Sequence, residues 1–222
     1  MCGRLAVTLP TEAMAQLFTA SPANNLPAVP NFNVCPTDQV HVVRANDGSR
    51  ALVSMRWGFV PRWYKELNGG PLLINARAET IAEKPAFRDA CRERRCLIPA
   101  SGFYEWTKGA EGTRYPWYIT RVDGGPIVLA GIWQEWEHDG ARISTCAVVT
   151  TGANKAMSAI HHRMPVLVRA DDFSLWLGES GKGAATLMRA AGEDELQFHR
   201  VARTVNSNRA SGPELIEPFD ED

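Results

Sequence analysis

Apolar and polar positions alternate along this chain in short runs bounded by glycine, asparagine and proline. Alternation at period two, with many β-branched and aromatic residues, predicts strands over 5–9, 40–44, 51–55, 96–99, 102–107, 117–121, 127–136 and 143–150. Two further strands, 166–168 and 196–202, are shorter or less regular. Asn46-Asp47-Gly48 supplies residues that tolerate positive φ, which predicts a tight hairpin between 40–44 and 51–55. Gly109, Gly124-Gly125 and Gly140 separate the later strands in the same way, so most neighbours are expected to pair antiparallel. Helical spacing predicts a helix opening at Thr11, with Thr11 as its cap, Glu12 near its positive end and Ala13, Leu17 and Phe18 toward a core. Short helices are also predicted over 83–92, 154–159, 171–177 and 184–191. Residues 21–36, rich in Pro and Asn, are predicted to be irregular, as is the aromatic run from Trp57 to Tyr64, broken by Gly58 and Pro61. Together these elements predict a single α+β domain over 1–222, built on a curved, barrel-like, mostly antiparallel β-sheet with short flanking helices. Residues 217–222 form an acidic tail.

Composition narrows the classes of function. The 222 residues suffice for one substantial core. No apolar run reaches the roughly 18 residues of a membrane span. The first residues lack a basic stretch followed by an apolar one, so a cytoplasmic protein without a membrane role is expected. The five cysteines are odd in number and dispersed, which suits a reducing compartment. Cys91 and Cys96 have neither a second pair nor a nearby histidine, so no metal site and no cofactor is expected. The net charge of −1 makes the whole chain a poor attractor of nucleic acid, and any such contact must be local. Of the 24 basic residues, 19 are Arg and 5 are Lys. The planar guanidinium suits phosphate recognition, although a GC-rich coding sequence would leave the same bias.

Cys2 changes the picture. Loss of Met1 would leave it as the N-terminal residue, with an α-amine of pKa about 8 and a thiol of about 8.5 two carbons apart. That 1,2-aminothiol can condense with an aldehyde to an imine, and the thiol can then close a five-membered thiazolidine. A lone thiol gives only a labile hemithioacetal. Covalent capture of a carbonyl and N-terminal nucleophile catalysis both follow from this arrangement. The other reading of Cys2 is a small buried residue at the start of the first strand.

Four more polar residues stand out. Asn75 and Arg77 follow the apolar triplet 72–74 and lie on one side of its end. Glu105 is a carboxylate within an aromatic strand, Gly102-Phe103-Tyr104-Glu105-Trp106, where partial desolvation suits it to proton transfer. His161 sits between a short helix and a strand, beside His162 and Arg163, and an imidazole exchanges protons near neutral pH. Each also has a structural reading: Asn75 as a helix cap, Arg77 in a surface ion pair, Glu105 on a solvated strand face, His161 as a hydrogen-bonded core residue.

Taken together, Met1-Cys2-Gly3-Arg4, Trp57-Gly58-Phe59-Val60-Pro61, residues 74–80, residues 95–99, Gly102-Phe103-Tyr104-Glu105-Trp106, residues 160–165 and Pro213-Glu214-Leu215-Ile216 resemble the SOS response-associated peptidase (SRAP) family. The resemblance runs over nearly the whole chain. It implies a monomeric abasic-site processing protein that binds single-stranded DNA, in the cytoplasm and on the nucleoid. Cys2, freed by autoproteolytic loss of Met1, would crosslink to the ring-opened sugar as a thiazolidine, with lyase-like chemistry at the same site. The family pattern implies that Asn75 holds Cys2 or a sugar hydroxyl, Glu105 shuttles protons and His161 assists ring opening. It also implies that Arg4, Arg77 and Arg163 bind phosphates and that Trp63 and Tyr64 stack on bases.

Three other functions remain compatible with the residues. Cys2, Glu105 and His161 could serve a thiol-dependent peptidase. A start Met-Cys-Gly also occurs in N-terminal nucleophile glutamine amidotransferases, whose further motifs are absent here. A non-covalent nucleic-acid binding module would leave Cys2 a structural role.

Overall fold

The computed structural model of the chain describes residues 2–219. Of the acidic tail expected at 217–222, residues 220–222 lie outside the described residues. In chain order the elements are β1 (Leu5–Val7), α1 (Thr11–Phe18), β2 (Ala20–Pro22), β3 (Asn31–Val34), β4 (Gln39–Asn46), β5 (Ser49–Trp57), β6 (Asn75–Arg77), α2 (Arg88–Glu93), β7 (Arg95–Ala100), β8 (Gly102–Lys108), β9 (Arg114–Arg121), β10 (Ile127–His138), β11 (Ala141–Gly152), α3 (Lys155–Ser158), β12 (Arg163–Pro165), α4 (Phe173–Leu177) and β13 (Leu196–Arg200). Short 3-10 turns complete the chain.

Turn chemistry sets the hairpins. Asp47 (φ 43°) and Gly48 (φ 81°) both adopt left-handed backbone between the paired residues Asn46 and Ser49. Asp139 (φ 49°) and Gly140 (φ 79°) do the same between His138 and Ala141. Two consecutive positive-φ residues match the twist of the flanking strands, which is why Asp-Gly is favoured at both tips. The β4–β5 and β10–β11 hairpins are joined by β7, which pairs antiparallel with both β4 and β10. Thr145 and Cys146 of β11 then pair parallel with Arg56 and Trp57 of β5. That contact closes β11-β10-β7-β4-β5 into a five-stranded barrel, confirming the barrel-like, mostly antiparallel α+β architecture. Val42, Leu52, Leu97, Leu129, Ile132 and Val148 are fully buried. Burying each such side chain contributes about 1.5–3 kcal/mol.

A second, five-stranded sheet has the order β13-β9-β8-β1-β3. One residue, Ser101, links barrel strand β7 to β8, and its N–H donates to Ala6 O at 2.8 Å. The chain thus turns from barrel to second sheet just before Glu105. Antiparallel pairing of Leu5 with Phe103 lays the N-terminal residues alongside β8.

Several elements differ from the sequence expectation. The segment 21–36 contains β3, because Asn31 and Val34 find partners in Val7 and Leu5. In α1 it is Pro10, without a side-chain cap, that occupies the cap position, and Thr11 is already helical. Met14 and Phe18, four residues apart, form the buried stripe, while Leu17 is left 39% exposed. The predicted helix 83–92 shrinks to α2, because Pro85 lacks an N–H and disfavours helical backbone at Lys84. Over 184–191 there is only a 3-10 turn, Ala184–Leu187. Asn154 Nδ2 holds the carbonyls of Ala191 (3.2 Å) and Gly192 (3.1 Å) instead. The late strand forms at β12, three residues before its predicted position.

Candidate active site

The C-terminal end of β11 organises the barrel side of the site. Thr150 is opposite Arg77 of β6 on one edge and Pro165 of β12 on the other. A parallel register places Asn75 opposite Val148. The lead-in to β6 is held by the Trp57 indole, which donates to Ile74 O at 3.0 Å, and by a bridge between Phe59 and Leu73. The aromatic run therefore serves mainly as support for β6. Trp57, Phe59 and Val60 are buried, whereas Trp63 is 59% exposed.

Cys2 meets that edge. Asn75 Nδ2 donates to Cys2 O at 2.9 Å, and the Asn75 Oδ1 atom is buried without a hydrogen-bond partner among the described residues. Cys2 itself is fully buried. Burial pushes its thiol well above the ordinary cysteine range, and the charge of nearby Glu105 pushes it further. Glu105 is only 2% exposed on β8. His161 Nδ1 lies 3.9 Å from Glu105 Oε1. That same Nδ1 lies 3.0 Å from the backbone N–H of Arg163 and 3.1 Å from its carbonyl oxygen, so the Arg163 backbone holds the ring in either tautomer. Burial lowers the His161 pKa, while Glu105 pulls it upward. The His162 ring stacks on His161 at 4.4 Å. Residues 2, 75, 105 and 161, distant in sequence, thus gather in one place: Asn75 on the Cys2 carbonyl, Glu105 near enough to act on its thiol, and His161 beside Glu105. A carboxylate and an imidazole beside a buried thiol are groups able to exchange protons with it.

The residues expected to contact DNA divide into two groups. Trp63, Asn75 and Arg77 line one open groove of ≈590 Å³, together with Leu73, Lys84 and Phe87. Arg77 is exposed there. Tyr64 is half-buried, its ring 6.3 Å from that of Trp63, and its carbonyl accepts from the Trp136 indole. The other two arginines are engaged within the protein. Arg163 forms a forked pair with Glu79 (2.7 and 2.9 Å) and donates to Thr150 O at 2.8 Å. That pairing draws the Glu79 carboxyl down to about 2. Arg4 donates to Asn33 Oδ1 and, at 2.7 Å, to Val205 O. Asn33 in turn holds the carbonyls of Ser207 and Ala210, so Arg4 clasps the C-terminal segment to the first strand. Sequence reasoning missed Glu79 and Asn33 because each acquires its role from a partner 84 or 29 residues away. Among the described residues no cluster of metal-ligating side chains occurs, and no helix is long and apolar enough to cross a membrane.

Residues 1–208 match the family model "SOS response associated peptidase (SRAP)". Among named relatives, abasic site processing protein YoqW of Bacillus subtilis is 36% identical over 193 residues, covering 85% of this chain and 86% of its own length. Abasic site processing protein YedK of Escherichia coli is 30% identical, covering 98% of this chain and all of its own. A Bacteroides thetaiotaomicron crystal structure shares the fold with a TM-score of 0.86 at 22% identity, over 98% of this chain and 100% of that one.

Proposed function

The chain belongs to the SOS response associated peptidase (SRAP) family, and we propose that it processes abasic sites in single-stranded DNA by covalent capture on Cys2. The relatives' shared designation as abasic site processing proteins supports the substrate class. The observation that supports the mechanism is the setting of Cys2, its carbonyl bonded by Asn75 at 2.9 Å, its thiol within the charge of Glu105, and Glu105 3.9 Å from His161.

Hydrolysis of the Met1–Cys2 peptide bond comes first and frees the α-amine. Glu105 and His161 assist this self-processing, which is the protein's own peptidase step; cleavage of other chains is not part of the proposal. The amine then adds to the C1′ aldehyde of the ring-opened sugar. Loss of one water gives an imine, with Glu105 and His161 moving the protons. The thiol adds across the C=N bond: sulfur bonds to C1′ and its proton ends on nitrogen. From the imine, loss of a C2′ proton would expel the 3′-phosphate, the lyase-like branch. Ring closure removes the imine and so protects the strand. The protein acts as a cytoplasmic monomer that joins the nucleoid when bound to DNA. Arg77 supplies a phosphate contact and Trp63 a stacking surface in the same groove, with the Tyr64 ring beside Trp63 extending that surface.

The test uses a uracil-containing single-stranded oligonucleotide treated with a uracil glycosylase. The protein should give a denaturant-resistant band without added reductant. Cys2→Ala should need borohydride, Cys2→Ser should give a faint band, and a residue left ahead of Cys2 should give none. A blocked protein that crosslinks as well as the free one would replace the thiazolidine with a plain thiol adduct.

A further inference from the structure

The sheet that carries Glu105 also carries a row of side chains that the proposed chemistry does not use. Glu105 of β8 is directly opposite Trp117 of β9, and Trp117 is directly opposite Arg200 of β13. Opposed residues in antiparallel strands project to one face. The three therefore form a line across the second sheet that begins at the carboxylate beside Cys2. Thr107 and Tyr115, themselves opposed, stand two residues further along the same face.

These side chains interlock. The Arg200 guanidinium carbon is 4.5 Å from the Tyr115 ring centroid and 5.7 Å from that of Trp117. The Trp117 indole donates to Thr107 Oγ1 at 3.1 Å and meets Phe198 edge-on at 5.9 Å. Tyr115, Trp117 and Arg200 are each half-buried, so part of each residue's surface stays accessible. Stacked aromatic rings beside an arginine are what an unpaired base and its phosphate require, without regard to base identity.

We infer that Tyr115, Trp117 and Arg200 form a subsite for the nucleotides on one flank of the abasic sugar. The inference rests on the abasic-site reading and adds a binding surface to it. The occupant is single-stranded nucleic acid because the row is continuous with the reactive cluster and ends in a cation. Adjacent strands are about 4.8 Å apart, so Arg200 lies roughly 10 Å across the sheet from Glu105, a reach of about one or two nucleotides. The groove of Trp63 and Arg77 lies on the Asn75 side of Cys2 and receives the other flank. The strand therefore crosses the reactive residue with an aromatic and an arginine on each side.

Two oligonucleotides test this, one with the abasic site at its 5′ end and one at its 3′ end, so that each has a single flank. At subsaturating DNA, Tyr115→Ala and Arg200→Gln should slow adduct formation about tenfold on one substrate and leave the other at the wild-type rate. On the affected substrate Arg200→Gln should also flatten the salt dependence of binding by about one phosphate's share. In the wild-type protein, 5-iodouracil next to the abasic site on that flank should photocrosslink to Tyr115 or Trp117, a readout that needs no variant to fold. Equal slowing on both substrates, slowing on neither, or photocrosslinks confined to other residues would overturn the subsite while leaving the abasic-site reading intact. If the wild-type protein forms no adduct with either oligonucleotide, the abasic-site reading fails and takes the subsite with it.

Discussion

The Asn75 side-chain amide donates to the Cys2 carbonyl at 2.9 Å, while its own Oδ1 stays buried without a partner among the described residues. One side chain thus holds Cys2 and presents an acceptor to whatever enters beside it. A sugar hydroxyl of the ring-opened abasic nucleotide would satisfy that acceptor. Asn75→Ala should slow adduct formation at least tenfold, because it removes both contacts. Its folding stability should fall by only about 0.5–1.5 kcal/mol, the usual net worth of one hydrogen bond. Crosslinking time courses and urea unfolding measure the two effects separately. A variant that loses stability but keeps the wild-type rate would make Asn75 purely structural.

Glu105→Gln keeps the shape of the side chain and removes its charge. Adduct formation should slow about 10²–10⁴-fold, the usual range for general acid–base assistance. The charge of Glu105 also raises the Cys2 thiol, second only to burial. In Glu105→Gln the pH at which Cys2 becomes reactive toward a small alkylating reagent should therefore move down. Mass mapping of the labelled cysteine against pH reads this directly; an unchanged or upward-shifted profile would remove the electrostatic coupling.

The three arginines expected at phosphates should separate in their salt dependence. Arg77, exposed in the Trp63 groove, should behave as a phosphate ligand. Arg77→Ala should weaken single-strand binding and reduce the slope of log K against log salt by about one. Arg4→Ala should leave that slope unchanged and lower the melting temperature, because its guanidinium clasps Asn33 and Val205 O. Arg163→Ala should likewise lower stability, since it breaks the fork to Glu79 and the bond to Thr150 O. Binding isotherms at four salt concentrations, with parallel melts, distinguish the two behaviours.

Stability should depend on pH through His161, His41 and Glu79. His161 has a folded-state pKa below 6.5 because it is buried, so the unfolded chain binds more protons below that pH. Its contribution is fully present above about 6.5 and is lost as pH falls from there toward the depressed value. His161→Gln should make the stability curve shallower below pH 6.5. Buried His41 acts in the same direction and sets the slope that remains. Glu79 works in a lower window. Its carboxyl is held at about 2 by Arg163, so its contribution is present above 4.5 and lost as pH falls through about 2. Arg163→Ala should remove that acid loss; the gain is modest because Glu79 is half exposed to screening solvent. Urea titrations from pH 2 to 8 cover both windows.

Local chemistry was enough to make the hairpins, most of the short helices and the residue types of the site legible along the chain. Asn-Asp-Gly at 46–48 specifies a positive-φ turn whatever surrounds it, and a cysteine at position 2 would become an aminothiol on loss of Met1 in any fold. The same holds for the alternation of strands that implies a curved, mostly antiparallel sheet. Tertiary structure decided what depends on a partner far away in the chain. The barrel closes through a parallel contact of two residue pairs between β5 and β11, too short and too distant for any periodicity to announce. β3 exists in a Pro- and Asn-rich stretch only because β1 needs an edge partner. Arg4 and Arg163 look like phosphate ligands when read as types, yet Asn33, Val205, Glu79 and Thr150 occupy their guanidinium groups here. Register made the final selection. It set Glu105 opposite Trp117 and Trp117 opposite Arg200, and no residue in that row has a sequence neighbour that reveals it. Side-chain chemistry is a property of each residue, whereas adjacency across a sheet comes from pairing energies summed over the whole fold.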